Sequence, residues 1–224
     1  MADIWADPVG YNPLTDAPPY LPGRTLPRRA SVAFPVEERR KVQASVAKLA
    51  ARPEVEARMI LDHLLGQPAL RGNRYGELAV LLAALRAVSQ VHQSHHWRTC
   101  GPTYYADHEL FSRLYNESVA LVDGLAERAV GLGAAGLVDP VFQAQAVSMF
   151  VRSYVGVGSE TTHAALFPTI SFRAVIRVLV LFRLVYERLG NNQQRTPGLD
   201  NLLQGVADVH EQHAYLLRQR CQPG

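Results

Sequence analysis

The spacing of apolar residues is the feature that most constrains the fold of this 224-residue chain. Between Tyr75 and Arg98, apolar side chains recur at intervals of three and four, which is the repeat of one helix face. Comparable stretches cover about 103–132, 169–189 and 196–220. No segment alternates convincingly with the period of two that is typical of a strand. The sequence therefore predicts an all-α protein.

The breaks between these stretches indicate how the helices are connected. Gly101-Pro102 separates the first two, and a shorter helix over about 140–155 lies in the long link between the second and third. Thr103 and Thr196 are expected to cap the helices that follow them, since a hydroxyl can accept a free backbone amide. Four long helices with one long connection are typical of a bundle with a crossover.

The chain before Tyr75 has a different character. Residues 1–35 are rich in Pro and Gly without sustained periodicity, which predicts an extended arm. Residues 36–74 are expected to form a helical extension of two short helices, the second opened by Pro53. The remaining residues, 75–224, are expected to form the bundle.

Composition excludes several classes of protein. With 48% hydrophobic and 19% charged residues, the whole chain does not fit a disordered protein, and a net charge of +3 is by itself too small to indicate a nucleic-acid partner. The two cysteines, Cys100 and Cys221, match neither a disulfide framework nor a metal-binding pair. The first 25 residues lack the apolar core of a signal peptide, and the five charges within 170–189 argue against a membrane span. A cytoplasmic protein is expected.

Side chains able to bind a metal are densest on the two helices that flank Gly101. His92 and His96 are four residues apart on the first helix; on the second, His108 precedes Asp123 and Glu127, themselves four apart. Imidazole and carboxylate together suit iron, zinc or manganese. From spacing alone, the alternative is that these are solvated polar positions or helix caps.

Several of these residues belong to a longer pattern. A His96-Trp97 pair, the Gly101 turn and an aromatic residue are followed by His108-Glu109, and the same helix continues to Asp123-x-x-x-Glu127-Arg128. This pattern resembles that of the Dps-type miniferritins, the DNA-protection proteins of starved bacteria. The run 208–218 is similar to the last helix of that family, and the likeness covers roughly 75–220.

The resemblance implies a fold, an assembly and an activity. The fold is a ferritin-like four-helix bundle, and the assembly is a shell-like homo-oligomer, a dodecamer by resemblance. Iron is oxidised by peroxide or dioxygen at sites between two subunits and is stored as ferric mineral, which protects DNA. One subunit contributes His96 and His108, and the other contributes Asp123 and Glu127.

Ser112 departs from the family pattern. It stands one turn after His108, where the family usually has a carboxylate, and a hydroxyl is a poor ligand for a hard cation. The substitution should weaken Fe(II) binding or leave one iron position empty. A further possibility is that His92, one turn before His96, adds a ligand; the alternative is a partly buried polar residue. A shell or DNA-binding protein with a decayed oxidase site is therefore a second hypothesis, and storage of another metal is a third.

The N-terminal region carries a local excess of positive charge that the whole-chain sum hides. Many members of the family that the chain resembles bind DNA through a basic arm. Such contacts would go to phosphates. The alternative is that the arm packs on the shell or on a neighbouring subunit. Trp97 is expected at a subunit interface, and the alternative that the resemblance allows is that it quenches oxidising intermediates. His210 and His213 are expected at solvated or intersubunit positions. The predicted DNA-binding residues are Arg24, Arg28, Arg29, Arg39, Arg40 and Lys41.

Overall fold

The computed structural model of the chain describes residues 53–156 and 162–222. Within these ranges the chain forms helices joined by turns and contains no strand, which confirms the all-α prediction. Two short 3₁₀ turns, Ala135–Val138 and Ala164–Leu166, precede the fourth and fifth helices. The α-helices are α1 (Pro53–Leu65), α2 (Gly76–Arg98), α3 (Tyr104–Gly131), α4 (Pro140–Val155), α5 (Phe167–Asn191) and α6 (Pro197–Cys221).

The four long helices α2, α3, α5 and α6 form the predicted bundle with one crossover. Helix α2 packs against α3, α4 and α5, so its apolar residues from Leu78 to Val88 are almost completely buried. The crossover helix α4 is fixed to α2 by Gln143, whose buried amide donates to the backbone carbonyls of Ala79 at 3.1 Å and Leu137 at 2.9 Å. The crossover therefore belongs to the core.

Helix starts follow the predicted caps in one case but not in the other. Thr196 accepts the backbone N–H of Leu199 at 3.2 Å, as expected. The cap predicted at Thr103 is wrong, because its hydroxyl donates instead to the carboxylate of Asp107 at 2.7 Å. A charged carboxylate one turn away is a stronger partner than a backbone amide. Asp107 is buried and also receives two hydrogen bonds from Arg220, which ties the start of α3 to the end of α6.

The helical extension contributes α1 to the folded unit. Its acidic side chains pair with arginines of α5, and its apolar residues Leu61 and Leu64 join the core. The first predicted helix of the extension, the arm over 1–35 and all six predicted DNA-binding residues lie outside the described residues. The ion pairs between α1 and α5 are Glu54–Arg183, Glu56–Arg177 and Asp62–Arg188.

One helical segment in the described ranges is long and apolar enough to cross a membrane by length and composition. It runs from Ala164 to Asn191, with a mean hydropathy of 1.8 in its most apolar window. The charges on this segment are therefore a weaker argument against a span than the sequence suggested. Half of that window is buried, however, and α5 packs against α1, α2 and α6. Such packing is typical of a central bundle helix.

Candidate metal centre

His96 and His108 meet where α2 ends and α3 begins. The turn between them reverses the chain at Gly101, whose φ of +91° is a backbone conformation that favours glycine. The two imidazole rings stack with their centres 3.9 Å apart and their planes inclined by 28°. The turn therefore places two metal-capable side chains in contact, the two that the resemblance assigns to one subunit.

Reciprocal hydrogen bonds orient this histidine pair. The Nδ1–H of His96 donates to the backbone carbonyl of His108 at 3.0 Å, and the Nδ1–H of His108 donates to the carbonyl of His96 at 3.2 Å. A carbonyl only accepts, so Nδ1 carries the proton in both rings and Nε2 keeps its lone pair. A ligating histidine in metalloproteins usually has its other ring nitrogen held in this way.

The surroundings of the pair are aromatic and exposed. Trp97 is 70% exposed and Tyr105 is 76% exposed, and the ring of Tyr104 lies 5.1 Å from that of His108. Large exposed aromatic side chains are enriched at protein interfaces. The face that carries the histidine pair therefore has the character of a contact surface, and the interface position expected for Trp97 stays a prediction.

The predicted carboxylate ligands lie far from the pair within one chain. Asp123 is fifteen residues beyond His108 on the same helix, a rise of about 22 Å. Both Asp123 and Glu127 are exposed, one turn apart on the surface of α3. One subunit therefore cannot bring all four predicted ligands together.

Ser112 is the partly exposed residue one turn after His108. Its hydroxyl accepts the side-chain amide of Asn116 at 3.5 Å. The nearby Asp107 does not replace the missing carboxylate, since its two oxygens are occupied by Arg220 and Thr103. Across the described ranges, no three His, Cys, Asp or Glu side chains are arranged to hold a metal ion as they stand.

Three other histidines are placed differently from the expectation. His210 and His213 are completely buried, so the prediction of solvated or intersubunit positions is wrong. His92 is also completely buried and lies beside His213, with ring centres 6.0 Å apart. It belongs to the interior of the bundle, whereas His96 is partly exposed at the end of α2. We refer to His92, His210 and His213 as the interior histidine cluster.

All three rings of the interior histidine cluster are held neutral near pH 7. Burial lowers the pKa of His92 well below its ordinary value, and the neighbouring imidazoles lower it further. Burial likewise lowers the pKa of His210 to about 4. It also lowers the pKa of His213, although the hydrogen bond to Glu117 acts in the opposite direction. A neutral imidazole keeps one lone pair, which a metal ion or a donor group can use.

The sequence contains a signal for this cluster that residue type alone conceals. The buried positions of α6 follow one another at alternating intervals of three and four residues, which is the spacing of one helix face. Both histidines fall on this buried face and not on the polar one. The positions are Leu203, Val206, His210, His213 and Leu217.

Sequence comparison with known proteins finds similarity over only part of the chain. No family model matches the chain. A segment of 75 residues is 36% identical to the nutrient stress-induced DNA-binding protein of a Nostoc strain. This segment is 34% of this chain and 38% of that relative. The match therefore spans well under half of the relative's length.

Solved structures agree over a larger part of the chain. Dps from Thermosynechococcus elongatus aligns with a TM-score of 0.58 and 18% identity over 75% of this chain and 96% of its own. DpsC from Streptomyces coelicolor aligns with a TM-score of 0.59 and 21% identity over 67% of this chain and 84% of its own. A Dps homologue from Halobacterium salinarum aligns with a TM-score of 0.58 and 19% identity over 71% of this chain and 88% of its own. The chain thus has the fold of the Dps-type miniferritins, which confirms the resemblance drawn from its sequence.

Proposed function

We propose that the chain forms a cytoplasmic shell of identical subunits that binds Fe(II) between subunits, oxidises it and stores the ferric product. The observation that carries this proposal is the stacked pair of His96 and His108, with both Nε2 atoms left free beside exposed aromatic side chains. Asp123 and Glu127 of the partner subunit complete the ligand set, in keeping with the resemblance. Iron is the substrate and the stored cargo of this site.

The chemistry follows from the ligand types. Two imidazole nitrogens and two carboxylates suit Fe(II) and stabilise the higher charge of Fe(III) through the anionic oxygens. Each hydrogen peroxide takes two electrons from two Fe(II) ions and, with two protons, leaves as two water molecules. Because iron and peroxide are consumed together, hydroxyl radical is not released near DNA.

Anaerobic addition of Fe(II) to the full-length protein, followed by peroxide, tests the proposal. We expect ferric absorbance to appear faster than in protein-free buffer, and the native mass to be that of a large homo-oligomer. Oxidation no faster than in buffer would refute the oxidase function. That outcome would favour the second hypothesis, a shell whose site has decayed at Ser112.

Replacing Ser112 with Asp restores the carboxylate that the resemblance places one turn after His108. Since a charged oxygen binds a hard cation better than a hydroxyl, we expect tighter Fe(II) binding and oxidation about tenfold faster. Stopped-flow absorbance after peroxide addition measures the rate. Ser112→Asn is the matched control, because it adds similar bulk without charge. Equal rates in wild type, Ser112→Asp and Ser112→Asn would show that other groups already complete the site.

DNA binding is a second function of the same shell. It is favoured by the basic residues between Arg24 and Lys41 and by the name of the Nostoc relative, a DNA-binding protein. Lysine and arginine contacts to phosphates give affinity that does not depend on base sequence and that falls steeply with salt. The arm would then attach DNA to the same assembly that removes iron and peroxide.

Removing residues 1–41 tests this arm. If it contacts DNA, gel shifts at low salt should show affinity at least about tenfold lower, with a shallower dependence on salt. A full-length variant with the six basic residues changed to Gln controls for loss of the chain itself. Unchanged binding by both variants would exclude the arm as the DNA contact.

A further inference from the structure

The interior histidine cluster is a group of metal-capable side chains that takes no part in the proposed iron site. His210 and His213 lie one turn apart on α6 with ring centres 5.3 Å apart, and His92 of α2 faces His213 at 6.0 Å. An ion about 2.1 Å from one nitrogen of each ring separates two ring centres by roughly 5 to 6 Å. The rings of His92 and His210 therefore each lie at the distance from His213 that a shared ion requires.

The hydrogen bonds of the two α6 histidines leave one lone pair on each ring. The Nδ1–H of His210 donates to the carbonyl of Val206 at 2.9 Å, and its Nε2 has no partner. The Nε2–H of His213 donates to the carboxylate of Glu117 at 2.8 Å, and its Nδ1 has no partner. Histidine ligands of metals are commonly anchored in these two ways, by a backbone carbonyl or by a carboxylate.

His92 adds a ring with no hydrogen bond at either nitrogen. The carbonyl of Leu114 is near enough to favour the charged form of this ring slightly, but it does not have the geometry of a hydrogen bond. That carbonyl already accepts the hydroxyl of Ser118 at 2.8 Å. A buried imidazole without partners is costly, so such a group in a folded protein usually marks a bound ion or an ordered water molecule.

We propose that the interior histidine cluster binds a divalent transition-metal ion of the zinc type through one nitrogen each of His92, His210 and His213. As the side chains stand, they do not present their donor atoms to one point. Binding therefore requires side chains of the cluster to rotate, and rotation of the His92 ring breaks no hydrogen bond. Imidazole nitrogens without thiolates suit zinc and its neighbours in the first transition row.

Glu117 gives the site a charge and a route to solvent. Its side chain is 35% exposed, while its carboxylate contacts the fully buried ring of His213. The negative charge offsets part of the charge of the incoming ion, and the hydrogen bond keeps the lone pair of His213 directed away from Glu117. Arg113 holds the other carboxylate oxygen at 2.8 Å, so the Glu117 side chain is itself positioned. Glu117 is thus a positioning residue for His213.

The test uses the full-length protein with His96→Ala and His108→Ala, which removes the histidine pair at the subunit face. Zn²⁺ titration by calorimetry and metal analysis should give one ion per chain at the interior histidine cluster, and Co²⁺ should give visible absorption typical of a four-coordinate site. Bound Zn²⁺ should also raise the unfolding temperature, because an ion held only by the folded state stabilises it.

Two variants in this background identify the ligands. His92→Leu replaces unpartnered polar atoms by an apolar side chain, so the protein should fold and lose at least about a hundredfold in Zn²⁺ affinity. Glu117→Gln keeps an acceptor for His213 but removes the charge, and should weaken binding about tenfold or more. Glu109→Gln, an exposed site on the same helix, is the matched control and should bind normally.

Two results would overturn the proposal. Absence of Zn²⁺ and Co²⁺ binding in the background protein would mean that the interior histidine cluster holds only water or stays dry. Zn²⁺ affinity unaffected by both His92→Leu and Glu117→Gln would place the ion elsewhere. Loss of affinity in His92→Leu or in Glu117→Gln, with normal binding by Glu109→Gln, supports the site.

Discussion

Replacing His108 with Asn is expected to reduce peroxide-driven Fe(II) oxidation by roughly a hundredfold or more, since loss of even an outer partner of a metal ligand commonly costs ten- to a hundredfold. Asn places an amide N–H near the position of the imidazole Nδ1, so the hydrogen bond to the carbonyl of His96 can persist. It has no counterpart of Nε2, the atom that is free to bind iron. The substitution thus removes the ligand while leaving the local fold largely intact.

The rate of ferric absorbance and the anaerobic Fe(II) affinity measure this effect, and circular dichroism checks the fold. His96→Asn should behave in the same way because the two histidines are equivalent in their hydrogen bonds. His63→Asn is the matched control, since His63 is exposed on α1 and lies outside the pair. Wild-type oxidation rates in both His96→Asn and His108→Asn would show that iron is oxidised elsewhere.

The helices could be predicted because their signals are local. The three-and-four spacing of apolar residues fixes each buried face, and Pro53 and Pro197 begin their helices where a missing N–H costs nothing. The cap at Thr103 could not be predicted in this way. Its hydroxyl partner, Asp107, is buried by Arg220 from the far end of α6, and that contact depends on the tertiary fold.

The candidate site was predictable only in part. The contact between His96 and His108 follows from their positions on either side of a tight turn. The reciprocal Nδ1 hydrogen bonds depend on the geometry of that turn, which the sequence does not specify. The burial of His210 was hidden because histidine is as compatible with a surface as with a core. Its place on the buried face of α6 outweighs its polarity.

Helix α1 is expected to stabilise the folded protein through the carboxylate of Glu56. Glu56 pairs with Arg177 of α5 at 3.0 Å, and the Arg177 side chain is only 8% exposed. The other carboxylate oxygen of Glu56 accepts the hydroxyl of Ser153 from α4 at 2.6 Å. One carboxylate of the extension therefore joins α1 to two helices of the core and neutralises a buried cation.

Glu56→Ala should lower the free energy of unfolding by about 2 to 4 kcal/mol, because it leaves the Arg177 guanidinium buried without its counter-charge. The loss of unfolding free energy is smaller than for a fully buried ion pair because Glu56 is itself partly exposed. Denaturant unfolding of the full-length protein, followed by circular dichroism, measures the loss. For an oligomer, the comparison is made at one fixed protein concentration.

Glu54→Ala is the matched control on the same helix. Glu54 pairs with Arg183 at 2.7 Å, but both side chains are at least half exposed, so removal should cost less than about 1 kcal/mol. Equal effects of Glu54→Ala and Glu56→Ala would mean that burial of Arg177 does not decide the energetics. A large effect confined to Glu56→Ala would show that α1 is a structural part of the bundle, because a helix resting loosely on the surface could not compensate a buried charge.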